Sequence, residues 1–278
     1  MEAIEHRCPL CSSARNRLVS RTGPHLRRCL RCGAAYNTAY RPLDYGDSYF
    51  LEDYRLQYGK TYEEDAGPIY GLAVSRLDHL FNTFSLPAPK AELRMLDIGC
   101  ALGFFLKAAR DRGVGSVEGL EISSYAARFC ERKFQIPVTT ASFDGAALSG
   151  PFDIITAWYF IEHTAEPLRT LERIHGLLRP GGVLAFSAPS VFGPLYCFDR
   201  GRWEATHPGD HRVDFSPRAA RMALKALGFS KISPRPAGIH PERVVKKESL
   251  LFPAFSPLYR TLSRWTGFSD TLEIFSQK

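Results

Sequence analysis

Short apolar runs alternate with segments of helical periodicity from residue 93 to the end of the sequence, and this alternation restricts the fold. Strands are predicted in LRMLDIG, SVEGLEI, PVTT, FDIITAWY, VLAFSAP, near 229–233 and in TLEIFSQ. The helices predicted between them cover 103–112, 123–133, 166–178 and 216–227. Apolar strands separated by helices are typical of a parallel sheet covered by helices on both faces. The sequence therefore predicts an α/β fold.

Four of the seven cysteines form two pairs near the N-terminus, in the pattern CxxC-x17-CxxC. This spacing lies within the range of structural zinc sites, in which four thiolates leave no open coordination position. The segments before and after residues 21–24 predict a hairpin between the pairs. Two disulfides are the alternative, but a reducing cytosol disfavours them. We expect one zinc ion in a zinc ribbon, bound by Cys8, Cys11, Cys29 and Cys32.

The other cysteines, Cys100, Cys130 and Cys197, have no partner spacing and are interpreted as small buried apolar residues.

Changes in composition divide the chain into three parts. Residues 1–41 form the ribbon, and residues 42–90 form a tyrosine-rich connector with one helix that should stop before Pro87. Residues 91–278 form the main domain, with an insertion at 241–268 before the last strand. A ribbon without metal has almost no core, so we expect chelation to loosen residues 1–41 while the main domain stays folded.

The charge is unevenly distributed: +6 over residues 1–41, −6 over 42–199 and +7 over 200–278. Basic ends indicate a phosphate-bearing partner, an anionic membrane surface or simply solvated arginines. With 45% hydrophobic and 23% charged residues, the composition excludes wholesale disorder and a coiled coil. No apolar run approaches the ~18 residues of a membrane-spanning helix, and the first residues lack the apolar core of a signal peptide. We expect a cytoplasmic protein.

The sequence LDIGCALGFFL places a glycine-containing turn between the first strand and the next helix. Gly99 and Gly103 allow the backbone to approach a ligand, and a helix N-terminus offers unpaired N–H groups. The dinucleotide pattern GxGxxG fails at Ala101 and Phe104, and the GK[ST] of a phosphate loop is absent. The arrangement Asp-x-Gly-x-Ala-x-Gly, which begins at Asp97, resembles motif I of class I S-adenosylmethionine-dependent methyltransferases.

The resemblance extends over residues 93–233. Glu121 corresponds to the acid that accepts the ribose hydroxyls in that family, and Ser142 and Phe143 correspond to its adenine contacts. The segment from FDIITAWYFIEHT to RPGG resembles the family's fourth strand and the helix that follows it. The resemblance implies a Rossmann-like sheet, mostly parallel with an antiparallel last strand, and S-adenosylmethionine as cofactor. The implied cofactor residues are Asp97, Gly99, Cys100, Ala101, Gly103, Glu121, Ile122, Ser142, Phe143 and Trp158. Two of these have a structural alternative, because Asp97 can simply cap the helix and Glu121 can be a solvated strand end.

Methyl transfer is an in-line displacement at an activated carbon, so the protein mainly positions the acceptor and excludes water. An acceptor hydroxyl needs a base, and the pKa of histidine suits neutral pH. His163 follows the fourth strand, and His211 lies in a segment that resembles the acceptor-facing loop of the family; His207 is a weaker candidate. Tyr159, at the same strand end as His163, is the third catalytic candidate. The alternative for each histidine is that its side chain only forms a hydrogen bond within its own loop.

No catalytic metal is predicted. A related quinone-pathway group carries a metal-binding acid three residues before its Glu-His pair, and here that position is Tyr159.

The combination of ribbon, connector and main domain resembles zinc-ribbon methyltransferases that act on sugars, nucleotide-sugars, cell-surface glycans and natural products. A small-molecule or glycan acceptor is therefore expected. The alternative is a ribosomal RNA base methyltransferase that uses the basic ends for phosphate contact. A third hypothesis is a non-catalytic scaffold that binds the cofactor. The sequence does not predict the oligomeric state.

The insertion at 241–268 contains an amphipathic basic segment. Leu258, Leu262 and Trp265 fall on one helical face, and Arg260 and Arg264 fall on another. A helix packed on the sheet edge is the simplest interpretation. A lid or substrate contact, a dimer contact and a peripheral membrane contact are the alternatives.

Overall fold

The computed structural model describes residues 6–19, 25–43 and 45–278. Its strands are β1 (Asn16–Leu18), β2 (Leu26–Cys29), β3 (Ala35–Asn37), β4 (Arg94–Ile98), β5 (Ser116–Glu121), β6 (Val138–Thr140), β7 (Phe152–Trp158), β8 (Leu178–Pro189), β9 (Val213–Asp214), β10 (Ser230–Ala237) and β11 (Thr271–Gln277). Its α-helices are α1 (Tyr54–Tyr58), α2 (Ala66–Thr83), α3 (Phe104–Asp111), α4 (Ser124–Phe134), α5 (Pro167–Leu177), α6 (Pro194–Phe198), α7 (Arg200–Thr206), α8 (Pro217–Ala226) and α9 (Phe252–Thr266).

Seven strands form the main sheet in the order β10-β11-β8-β7-β4-β5-β6. β4 pairs in parallel with β5 and β7, and β5 pairs in parallel with β6. Lys278 exchanges backbone hydrogen bonds with Gly181 and Gly182, so the start of β8 lies beside the end of the chain in the antiparallel sense. The predicted α/β fold, mostly parallel with an antiparallel last strand, is confirmed.

Three parallel strands present polar or aromatic side chains at their carboxyl ends. Asp97 lies one residue before the end of β4, Glu121 ends β5 and Trp158 ends β7. The strands themselves are apolar because both faces are covered, and Met95 and Ile154 are fully buried. The carboxyl ends of adjacent parallel strands share one edge, where open α/β sheets bind their ligands.

The described residues group into two compact units. One contains residues up to 43, 159–172 and 186–276, and the other contains 45–158, 173–185 and 277–278. In the described residues, no helix combines the length and hydrophobicity needed to cross a membrane.

The first unit contains a second, four-stranded sheet in the order β1-β2-β3-β9. β1 and β2 form the predicted hairpin, whose turn lies outside the described residues. β3 pairs with β9 through Ala35–Asp214 and Tyr36–Val213. Sequence reasoning did not predict β9, because two residues are too few for a recognisable strand pattern.

The interpretation of the unpaired cysteines is correct for two and wrong for one. Cys100 and Cys130 are buried, with 4% and 0% exposure. Cys197 is exposed, because it lies on α6, a short surface helix that the sequence did not predict.

Candidate active site

The turn between β4 and α3 has left-handed backbone at alternate residues. The φ angles are +70° at Gly99, +51° at Ala101 and +83° at Gly103. A Cβ atom at Gly103 would lie 2.2 Å from the Sγ atom of Cys130, so glycine is required there for helix packing. Ala101 adopts its conformation despite a Cβ, and its N–H donates to Glu121 Oε2 at 2.8 Å.

Asp97 is a buried carboxyl group within this turn region. Its Oδ1 atom accepts a hydrogen bond from the Thr156 hydroxyl at 2.6 Å, and only 2% of the residue is exposed. Burial raises the pKa of Asp97 to about 7, although Thr156 and Arg76 oppose the shift. No backbone N–H of α3 bonds to Asp97 among the described hydrogen bonds, so the geometry does not favour the helix-cap alternative.

Glu121 folds back onto the backbone. Its Oε1 atom accepts from the N–H groups of Ile122 (2.8 Å) and Ser123 (3.0 Å), and its Oε2 atom accepts from Ala101. Burial raises the pKa of Glu121, and these three donors oppose the rise. Because each carboxylate oxygen has two acceptor directions, Oε2 keeps one for a ligand hydroxyl. At 6% exposure, Glu121 is not a solvated strand end.

The predicted adenine contacts lie after β6. Ser142 is exposed, and its hydroxyl accepts from the Gly145 N–H at 3.3 Å. Phe143 is buried, with the Arg173 guanidinium 4.5 Å from its ring centre. Arg173 also donates to the carbonyl oxygens of Phe143 and Ala146 and so holds this loop in place.

Sequence reasoning missed Arg76 of α2. The residue is only 6% exposed, and its guanidinium lies 4.0 Å from the Trp158 ring centre. Its charge lowers the pKa of Asp97. The pattern that could have revealed it is an arginine on the apolar helix face formed by Ala73, Leu77 and Leu80.

The tyrosine-rich connector packs on the same part of the molecule. The Tyr62 ring stacks on Phe104, the first residue of α3, with 6.2 Å between ring centres. Asp47 accepts hydrogen bonds from Ser123 Oγ (2.7 Å) and the Tyr125 N–H (2.9 Å) at the start of α4. No sequence periodicity indicated these contacts, because they depend on single side chains.

His163 and His211 are brought together in the first unit. Their ring centres are 4.8 Å apart, and His163 Nδ1 lies 2.8 Å from Asp210 Oδ2. Burial is the largest single influence on the pKa of His163, and it lowers that pKa. The combined effects of Asp210 and Glu162 outweigh burial, so the pKa of His163 lies above its ordinary value. Tyr40 OH donates to the His163 carbonyl at 2.6 Å and so links the ribbon to this loop.

A second histidine–carboxylate pair adjoins the first. His207 Nε2 lies 3.0 Å and His211 Nδ1 lies 3.6 Å from the Asp214 carboxylate, which is almost completely buried. Burial alone raises the pKa of Asp214, but the two histidines hold it below its ordinary value. His207, His211 and Asp214 also line a cavity of about 130 Å³ together with Trp203.

Tyr159 and Glu162 occupy unusual environments. Tyr159 has a φ of +54°, which is strained for a tyrosine, and its N–H donates to Ser187 Oγ at 3.0 Å. Its side chain is 49% exposed. Glu162 is 1% exposed, its Oε2 atom has no hydrogen-bond partner in the described part of the chain, and burial raises its pKa.

The four N-terminal cysteines form one cluster. The Sγ atoms of Cys8 and Cys32 are 3.6 Å apart, as are those of Cys11 and Cys29, and all four lie within 4.8 Å of one another. A tetrahedral zinc site with Zn–S bonds of about 2.3 Å has S–S separations of about 3.8 Å. The cluster therefore fits zinc in both ligand type and size.

Comparisons with known proteins include the following three matches. A ubiquinone biosynthesis O-methyltransferase from Ralstonia nicotianae is 28% identical over 186 residues, or 64% of this chain and 74% of that protein. One from Thiobacillus denitrificans is 30% identical over 108 residues, or 36% of this chain and 46% of that protein. A solved methyltransferase from Thermotoga maritima, described as a possible histamine N-methyltransferase, has a TM-score of 0.56 at 18% identity and covers 83% of this chain and 97% of its own.

Residues 72–233, more than half of the chain, match the family described as a methyltransferase domain. This range includes β4 to β9, the glycine-containing turn, Glu121 and the histidine loops. The chain therefore belongs to the methyltransferase domain family and has the class I fold of S-adenosylmethionine-dependent methyltransferases.

Proposed function

We propose that this S-adenosylmethionine-dependent methyltransferase transfers a methyl group to a hydroxyl of a small-molecule acceptor, with His163 as the general base. The observation that carries the proposal is the 2.8 Å contact between His163 Nδ1 and Asp210. A carboxylate that accepts from Nδ1–H fixes the tautomer in which Nε2 carries the lone pair that can take a proton. His211 is the second candidate base, and Tyr159 is a candidate acceptor contact.

The cofactor supplies a methyl group on a sulfonium sulfur. We propose that the carboxylate of Glu121 accepts a ribose hydroxyl through the remaining direction of Oε2, and that Phe143 offers an apolar contact for adenine. The Gly99–Gly103 turn exposes backbone rather than large side chains. The full proposed set is the one that the sequence predicted: Asp97, Gly99, Cys100, Ala101, Gly103, Glu121, Ile122, Ser142, Phe143 and Trp158.

The proposed acceptor atom is oxygen. The curated relatives are named O-methyltransferases of ubiquinone biosynthesis, which supports a small acceptor with a hydroxyl group. A sugar or glycan acceptor is a narrower form of the same proposal. We also propose that zinc at Cys8, Cys11, Cys29 and Cys32 is structural, because a four-thiolate site has no open position for a substrate.

The acceptor class is tested with methyl-labelled cofactor and four separate pools: phenols, nucleotide-linked sugars, a glycan extract and ribosomal RNA. Label in phenols or sugars, with the product resistant to mild base as an ether is, supports the proposal. Label confined to RNA contradicts it. Absence of label from every pool, together with intact cofactor binding, favours a scaffold.

The role of Asp210 predicts a shift in the pH profile. A general base must be neutral, so kcat/KM should rise with pH as His163 loses its proton, with a midpoint above 6.5. The variant Asp210→Asn removes a charge that raises this pKa, so the midpoint should fall to lower pH. Glu162 and His211 also face His163 and remain in the variant.

The measurement is the pH dependence of kcat/KM, with Asp53→Asn as a control at an exposed aspartate of the other unit. An unchanged midpoint in Asp210→Asn would contradict the assignment of His163 as base.

A further inference from the structure

Four large apolar side chains form an exposed row on α9 and the residue before it. Leu251, Leu258, Leu262 and Trp265 are 70%, 59%, 51% and 85% exposed. Their spacing of seven, four and three residues places them on one helical face. We call these four residues the apolar stripe.

A different face of α9 packs against the protein. Its buried residues are Tyr259 and Ser263, with 6% and 1% exposure. The face that carries Leu258, Leu262 and Trp265 is therefore not the one that packs against the protein. The helix is held by one face and presents a second apolar face outward.

The residue before the stripe enlarges this surface, because Leu250 is 98% exposed. Single exposed apolar residues are ordinary, but a contiguous patch of this kind marks an interaction surface.

The charges around the stripe are mostly positive. Residues 244–268 contain Lys246, Lys247, Arg260 and Arg264 and a single acid, Glu248. All four basic side chains are exposed. None of the four forms an ion pair with another described residue. The surface therefore combines apolar side chains with a net positive charge.

We propose that this surface binds the headgroup region of an anionic phospholipid membrane. Leucines and an exposed tryptophan enter the boundary between headgroups and acyl chains, while lysines and arginines contact lipid phosphates. A second copy of the chain fits less well, because a two-fold contact through the stripe would bring the same cations toward each other. The proposal is independent of the acceptor.

The test uses Trp265 as a reporter. The protein is mixed with phosphatidylcholine vesicles that contain phosphatidylglycerol, and with pure phosphatidylcholine vesicles. With the anionic vesicles we expect a blue shift of tryptophan emission and co-sedimentation that weakens with salt. The other two tryptophans should contribute little change, because Trp203 is 7% exposed and the Arg76 guanidinium lies over the Trp158 ring. Equal binding to both vesicle types would overturn the electrostatic part of the proposal.

Two double variants separate the contribution of the positive charges to membrane binding from that of the apolar side chains. Arg260→Gln with Arg264→Gln should lower the partition coefficient by about fivefold per charge. Leu258→Ser with Leu262→Ser should abolish sedimentation. Leu56→Ser is the control, since Leu56 is an even more exposed leucine (84%) on α1.

Three results would overturn the proposal. The first is absence of binding to anionic vesicles by the folded wild-type protein. The second is unchanged binding in both stripe variants. The third is a concentration-dependent dimer, lost in the leucine variant, that forms without any vesicle association.

Discussion

Replacing Cys29 with serine is expected to remove zinc, unfold the ribbon and abolish methyl transfer. A structural zinc ion supplies about 10–16 kcal/mol of apparent binding free energy at pH 7, and in a small module this is folding free energy. Cys29 ends β2, and β2 pairs with β3. The effect should reach beyond the ribbon, because β3 pairs with β9 and places Ala35 opposite Asp214.

This expectation differs from the one that the sequence supports. The sequence predicts that chelation loosens residues 1–41 and leaves the rest folded, because this segment has almost no core without metal. In the structure, the ribbon strands share a sheet with β9, and Tyr40 bonds to the His163 carbonyl. We therefore expect hydrogen-exchange protection to fall around Asp214 as well as in the ribbon.

The measurement combines elemental analysis, hydrogen exchange and activity. Cys197→Ser is the matched control, because Cys197 is exposed and lies outside the cluster. One zinc per chain in wild type and in the control, and none in Cys29→Ser, is the expected result. Full activity in a zinc-free Cys29→Ser protein would show that the ribbon does not support the histidine loops.

His163→Ala is expected to lower kcat by about 10²–10⁴-fold, the usual contribution of a general base. Cofactor affinity should not change, because the proposed cofactor residues do not include His163. Single-turnover kinetics with saturating cofactor measures the chemical step directly. His240→Ala is the control, since His240 also pairs with a carboxylate, Glu242, at 2.8 Å.

His211 provides the competing assignment. If His211→Ala shows the larger loss and His163→Ala is nearly normal, the base is His211 and the Asp210 contact is structural. Equal, small losses in both would mean that the acceptor needs no histidine base.

The sheet could be predicted from the sequence because its determinants are local. Apolar runs such as FDIITAWY specify buried strands, and the glycine-containing turn specifies a strand-to-helix junction. The positions of Asp97 and Glu121 follow directly from those strands. The cysteine pairs predicted the four-thiolate cluster equally well, because metal ligands occur at characteristic spacings.

Other features depend on contacts between distant residues. The pairing of β3 with β9 joins segments about 180 residues apart and leaves no periodic pattern. Arg76 reaches the region of Asp97 only because α2 packs there, and the exposure of Trp265 depends on which face of α9 meets the protein. Tertiary packing determines where these side chains lie, and the amphipathicity of a helix alone does not predict it.

The most direct test of the proposed cofactor site is a calorimetric titration of the protein with S-adenosylmethionine. We predict saturable binding at one site per chain, and an affinity at least tenfold lower in Glu121→Gln, which corresponds to about 1.4 kcal/mol. The carbonyl oxygen of glutamine can still accept hydrogen bonds from the N–H groups of Ile122 and Ser123. Its N–H₂ group would replace Oε2, which accepts from the Ala101 N–H in the wild type. Glu118→Gln, on the same strand, is the control, and melting temperatures confirm that both variants are folded. Absence of binding in the wild type, or equal affinity in Glu121→Gln, would contradict the proposed cofactor site.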